Sequence, residues 1–277
     1  MSAEPSTNGG GGAVERRSPV TKALQMLEWM AESGEQHWGI RQAARGLDLP
    51  PSTAHRTISM LENAGALTSD EEGRYSFSLD LIRLASRVAL DLPLRRAAMP
   101  HMRELVERTN ETAYLGLYNS DRMRMMYLDR VQSDHPLRYV LPLYEWMPMH
   151  AGAGAEAMLA FLPEQERESI LTEANLQAVT EETVTDPGEL RRELAEIRGR
   201  GFVMTRGRLI EGAAGLAAPV FGPDDRVVGG LVLALPEVRL KPKDADSLGH
   251  ELVRCADAVS ADLGGQRPAL DGAPSTA

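Results

Sequence analysis

Residues 47–67, LDLPPSTAHRTISMLENAGAL, decide how the chain is read. Pro50 and Pro51 cannot continue a helix interior but suit a first turn, so one short helix ends before them and another begins there. Ser52 and Thr53 offer capping hydroxyls, and Asn63 and Gly65 close the second helix. Within it Ala54, Ile58 and Leu61 make one apolar stripe, while Ser52, Thr53, His55, Arg56, Ser59 and Met60 fall on other faces, with no acid before Glu62. Small hydroxyls and an arginine on a helix set behind a tight turn are suited to approach phosphates and reach base edges. An ordinary amphipathic surface helix would carry the same pattern.

The flanking sequence favours the first of these. Residues 19–33 read as a helix with Ala23, Met26, Leu27 and Met30 on one side, Ser18 as its cap and Gly34 as its stop. Ile40, Ala43, Ala44 and Leu47 predict a shorter helix presenting Arg41 and Arg45 outward. Beyond the central helix, residues 66–68 and 74–77 are β-prone and flank the turn SDEEG, which predicts a hairpin. Three helices and a hairpin make a winged helix-turn-helix over 18–78, with Arg74 on the wing as a candidate phosphate contact. Residues 79–93 then predict a linker helix with an apolar stripe at Leu81, Leu84, Ala85, Val88 and Leu92, able to pack on a second copy of the chain or on its own domain.

The remainder, 94–264, changes character. A helix in RRAAMPHMRELVERT precedes β-prone segments AYLGLYNSDRMRMMYLDRV and LRYVLPL, which predict an antiparallel meander. HAGAGAEAMLAFL reads as a helix with a glycine-rich start, PEQERESILTEA and DPGELRRELAEIRGRG as charged amphipathic helices. FVMT, AAGLAAPVF and RVVGGLVLAL read as strands, the last two joined at GPDD, and 242–263 as a final helix. Strands grouped without βα alternation predict an α+β domain built on one antiparallel sheet. Residues 1–17 and 265–277 are tail-like in composition.

Composition narrows the function classes. With 277 residues, 43% hydrophobic and 25% charged, the chain has room for two domains and no apolar run long enough to span a bilayer, so we expect a cytoplasmic protein. One cysteine, Cys255, excludes an intrachain disulfide and reads as buried packing. The net charge of −10 argues against coating nucleic acid by bulk attraction. Even the part through Asp91, with nine Lys/Arg and twelve Asp/Glu, is acidic, so DNA binding requires a local basic surface such as Arg41, Arg45, Arg56 and Arg74, doubled in a dimer. No GxSxG elbow or paired-histidine metal spacing occurs, and neither a catalytic residue, a metal nor a cofactor is expected. The GAGAEA stretch at 152–157 superficially resembles a dinucleotide loop but lacks a βαβ context. A small-molecule enzyme using that loop, or a sensor acting only through protein partners, are the alternative readings. His150 reads as a packing or hydrogen-bonding residue at the entry to its helix.

Over residues 18–263 the chain resembles the IclR family of bacterial transcription regulators. The pieces that carry the likeness are LPPSTAHRTISMLENAGAL, GRYSFSLDLIRLAS, YLDRVQSDHPLR, MPMHAGAGAEAMLAFLP, TVTDPGELRRELAEIRGRGF and AAPVF, in this order and spacing. The resemblance implies a winged helix-turn-helix, a linker helix and a GAF/profilin-like effector-binding domain, assembled as a homodimer or dimer of dimers on double-stranded promoter DNA. It implies a small-molecule effector, often an organic or aromatic acid. Its usual hydroxyl falls here at Gly152 and its lysine at Glu156; an acid that some members use falls at Thr205, a frequent cysteine at Gly215, and hydroxyl-bearing strand positions at Val232 and Ala234. The backbone donors at Ala153 and Gly154 survive these changes. With Trp146 and Met147 on the preceding segment, the expected site is one for a larger, partly apolar effector such as an aromatic acid, amide or hydrazide.

Overall fold

In the computed structural model, residues 18–173 and 176–268 are described, and the chain forms two compact units divided between Val88 and Ala89. The expected tail at 1–17 and the end of the second tail, 269–277, lie outside the described residues. Residues 265–268 of the expected second tail are described and are tied to the rest of the second unit. Gly265 donates its N–H to the Ser260 carbonyl, and the Arg267 guanidinium pairs with Asp257 at 2.8 Å.

The first unit begins with α1 (Pro19–Glu32), whose Thr21 amide donates to the Ser18 hydroxyl at 3.1 Å. α2 (Ile40–Gly46) and α3 (Pro51–Asn63) follow, then β1 (Leu67–Ser69) and β2 (Tyr75–Phe77), an antiparallel pair. Trp38 adds a third short rung by exchanging backbone hydrogen bonds with Tyr75. Met26, Met30, Trp38, Ala43, Ala44, Ala54, Ile58, Leu61 and Leu67 close one core, with Ala54, Ile58 and Leu61 contributed by the α3 stripe. Gly46 is needed where α2 meets α1, because a Cβ there would lie 2.3 Å from the Trp29 ring. α4 (Leu79–Leu90) buries none of its residues, and Leu84 and Val88 are more than half exposed.

The second unit opens with α5 (Pro93–Thr109), which ends on Asn110 in the left-handed conformation. β3 (Thr112–Asn119), β4 (Arg124–Val131), β5 (Val203–Arg206), β6 (Ala213–Phe221) and β7 (Val227–Pro236) form a five-stranded antiparallel sheet in the order β4-β3-β7-β6-β5. The central strands read as continuous apolar runs because both sheet faces are covered. Leu231, Leu233 and Leu235 of β7, with Leu216 of β6, face α5 and α9 (Pro242–Asp262). Val232, Ala234 and Ala217 face the layer of α6 (Ala153–Ala160), α7 (Glu164–Glu173) and α8 (Pro187–Arg200). All eight residues of α6 are buried, and their small size lets that helix lie directly on the sheet.

One predicted strand is absent. LRYVLPL forms no strand; residues 132–148 cross beside β4 with only isolated bridges, Tyr127 to Leu143 and Met125 to Met147. Pro136, Pro142 and Pro148 supply no N–H for a ladder, and Tyr144 sits at φ 64°. The segment is held instead by the Tyr114 hydroxyl, which donates to the Tyr139 carbonyl at 3.0 Å and accepts from the Leu141 amide at 3.1 Å.

Candidate nucleic-acid interface and ligand cavity

α3 starts one step earlier than its hydroxyls suggested. Pro50 is the N-cap, Pro51 the first helical residue, and no side chain caps the helix. Ser52 and Thr53 therefore sit inside the first turn, and Ser52 points its short side chain to solvent beside exposed His55 and Arg56. Thr57, on the opposite side, is buried and donates its hydroxyl to the Thr53 carbonyl at 2.9 Å. Arg41 and Arg45 stand exposed on α2. The unit thus presents a polar, acid-free stretch of α3 next to two arginines.

The wing differs from its reading as a simple phosphate contact. The Arg74 Nε lies 2.9 Å from Asp70 and its terminal nitrogen 3.0 Å from Glu72, so the guanidinium is engaged by the acids of its own turn. The Arg74 amide donates to Asp70 at 2.8 Å, and this bond, with the guanidinium, holds the Asp70 carboxyl below its ordinary range. With Glu71 alongside, the wing tip is acidic.

In the second unit, a cavity of about 380 Å³, its open mouth included, lies between the sheet and the start of α6. Five of the eight sequence-selected positions line it: Ala153, Thr205, Gly215, Val232 and Ala234. Gly154 stands just behind, where a Cβ would come within 2.8 Å of the Tyr127 hydroxyl and 2.9 Å of Val232. The other two lie elsewhere. Trp146 carries the Arg122 guanidinium 5.3 Å above its ring, and Met147 exchanges backbone hydrogen bonds with Met125. Both follow from the irregular course of 132–148, which swings this stretch along the β4 edge.

Sequence reasoning missed Tyr127, Tyr139, Leu141, Arg208, Leu209, Ile210, Ala213 and Ala214, which complete the walls. Tyr127 was accessible to strand alternation, since Met125 and Tyr127 share the α6 face of β4. Leu209 and Ile210 come from the turn between β5 and β6, and no periodicity marks them. Gly152 is the hinge of the site: at φ 87° and ψ 159° it occupies a region open essentially to glycine, and a Cβ there would lie 2.9 Å from Leu209.

Behind the cavity lies a charged cluster. Arg208 donates to Glu156 at 2.8 Å and, through both terminal nitrogens, to Glu193 at 2.5 and 2.8 Å. Glu156 is wholly buried, and its second carboxyl oxygen has no hydrogen-bond partner. Burial pushes this carboxyl up to about 7; Arg208 pulls it down and Glu193 pushes it further up. His150, at the turn before α6, is buried with Nε2 2.9 Å from the Gln177 carbonyl. α6 is entered from this irregular turn, beside an antiparallel sheet, which is not the strand–turn–helix of a dinucleotide site.

Two family profiles match this chain. Residues 19–71 match the one described as the IclR helix-turn-helix domain, and residues 86–261 the one described as bacterial transcriptional regulator IclR C-terminal. The chain belongs to the IclR family. Among similar regulators, KipR of Bacillus subtilis is 28% identical, the match covering 78% of this chain and 86% of KipR. The transcriptional repressor IclR of Escherichia coli is 26% identical over 90% of each chain. The crystal structure of an IclR regulator from Silicibacter sp. TM1040 superposes with a TM-score of 0.78 at 28% identity, covering 91% of this chain and 98% of that one. That of an IclR homologue from Microbacterium hydrocarbonoxydans, complexed with 4-hydroxybenzoate, gives 0.77 at 26% identity over 89% and 99%. This IclR-family chain is accordingly a transcriptional regulator with a helix-turn-helix DNA-binding domain and an effector-binding domain.

Proposed function

We propose that this IclR-family regulator is a cytoplasmic repressor whose grip on promoter DNA is set by a small, partly apolar metabolite held between α6 and the sheet. α3 enters the major groove with Ser52, Thr53, His55 and Arg56. Arg56 reads a base edge, the hydroxyls meet phosphates, and Arg41 contacts the backbone beside them. Arg74 shapes the wing turn and contributes little charge to the duplex. The exposed apolar residues of α4, among them Leu84 and Val88, pack against a second copy, and the dimer doubles a basic surface too small to hold DNA alone.

The observation that carries the reading is the cavity. Val232, Ala234, Leu141 and Ile210 form largely apolar walls beside the first turn of α6, whose amides can receive an acceptor group. For occupancy to alter DNA binding, the effector must favour one of two arrangements of the assembly, and α4 is the physical route between the units. Footprinting of the DNA upstream of the protein's own and neighbouring genes, with and without aromatic acids, amides and hydrazides, tests this. A protected pseudo-palindrome released by one ligand is expected. No protected segment under any condition overturns the reading.

A further inference from the structure

We propose that the effector is an uncharged molecule bearing a carboxamide or comparable neutral donor–acceptor group, and that Glu193 and Glu156 exclude its carboxylate counterpart. This rests on the cavity being the effector site. The only cation among the described lining residues is Arg208, and it is already engaged by two carboxylates. With both acids ionised the cluster carries a net negative charge; with Glu156 protonated it is neutral. In neither state does it present a positive wall, and an anionic ligand would bring a further negative charge to a poorly solvated surface.

What the cavity does offer is neutral. The hydroxyls of Tyr127 and Thr205 face it from residues only 2% and 6% exposed, and neither makes a hydrogen bond within the protein among the described residues. The Tyr127 hydroxyl lies at the first turn of α6, within 2.8 Å of the position a Gly154 Cβ would take, and burial keeps it protonated. Each hydroxyl can both donate and accept, and the first amides of α6 can only donate. A carboxamide supplies the match: its carbonyl accepts from the helix start, and its N–H groups donate to a hydroxyl oxygen. A carboxylate has no donor to give.

The test is calorimetric titration of the full-length protein with matched pairs, benzamide against benzoate and 4-hydroxybenzamide against 4-hydroxybenzoate. The amide of at least one pair is expected to bind tighter by roughly tenfold or more. Glu193→Gln should narrow that gap by roughly tenfold, since it removes one negative charge while leaving one oxygen to accept from Arg208. Glu156→Gln serves as a second variant if the first does not fold. Ala234→Leu, which fills the cavity, should abolish binding of both members. Equal or tighter binding of the acid by the unmodified protein, no binding of either member, or a gap indifferent to both substitutions each overturns the proposal. A preference that persists in a folded Ala234→Leu protein places the ligand elsewhere, and the site assignment itself then fails.

Discussion

Glu156→Gln should make the effector domain more stable at neutral and alkaline pH while changing little in acid. Glu156 is wholly buried on α6, and its attraction to Arg208 is shared with Glu193, so desolvation prevails and the carboxyl titrates at about 7 against an ordinary 4.5. A carboxyl whose value rises on folding binds its proton more tightly in the folded state. Its contribution is therefore fully present below the unfolded value and is lost as pH climbs through the folded one. At about 1.4 kcal/mol per pH unit, the interval amounts to about 3 kcal/mol. Glutamine keeps the shape and a donor–acceptor head but does not titrate. Urea unfolding of both proteins from pH 4.5 to 8.5, followed through Trp146 fluorescence in Trp29→Phe/Trp38→Phe backgrounds, gives two stability curves whose difference isolates this group. The variant should match the parent near pH 4.5 and exceed it by about 3 kcal/mol above pH 8. A difference that does not vary with pH, or one that favours the parent in alkali, would show that Arg208 outweighs desolvation and refute the reasoning.

Other parts of the chain carry expectations of their own. Arg56→Ala should cost about 1–3 kcal/mol of operator affinity and relax sequence preference in fluorescence-anisotropy titrations; unchanged affinity and selectivity would remove Arg56 from the base-reading face. Glu71→Gln with Glu72→Gln should tighten binding to DNA of arbitrary sequence and steepen its salt dependence, because the wing tip then repels phosphates less. The Cys255 thiol is buried and pushed up to about 12, so Ellman's reagent should label it only after denaturant is added. Gly152→Ala forces a side chain into a glycine conformation against Leu209 and should cost about 1–3 kcal/mol in stability, with weaker ligand binding.

The parts of the fold legible in the sequence are those governed by local rules. The α3 stripe of Ala54, Ile58 and Leu61, the hairpin at GPDD, and the β6–β7 runs whose unbroken apolarity reports a sheet covered on both sides all depend on spacing and turn chemistry. LRYVLPL misled because its β-propensity is genuine, yet Pro142 within it and Pro136 and Pro148 around it supply no N–H with which to extend the β4 edge. Arg74 read as a free charge because the turn that folds Asp70 and Glu72 back onto it is a three-dimensional fact. Arg208 was invisible for the same reason: its partners Glu156 and Glu193 stand 52 and 15 residues away in the chain. The cavity residues that were anticipated lie on regular strands or a helix start; most of those missed lie in loops.

The division between the two units falls within α4 and not in a flexible coil. A helix is a phased connector, since each added residue rotates the downstream domain by about 100° about the helix axis. Chimeras that graft this sensor onto another reading head must therefore preserve angular register at the splice. Whole-turn insertions should be tolerated and single-residue ones should uncouple sensing from DNA release, which makes α4 the natural dial for tuning such a hybrid.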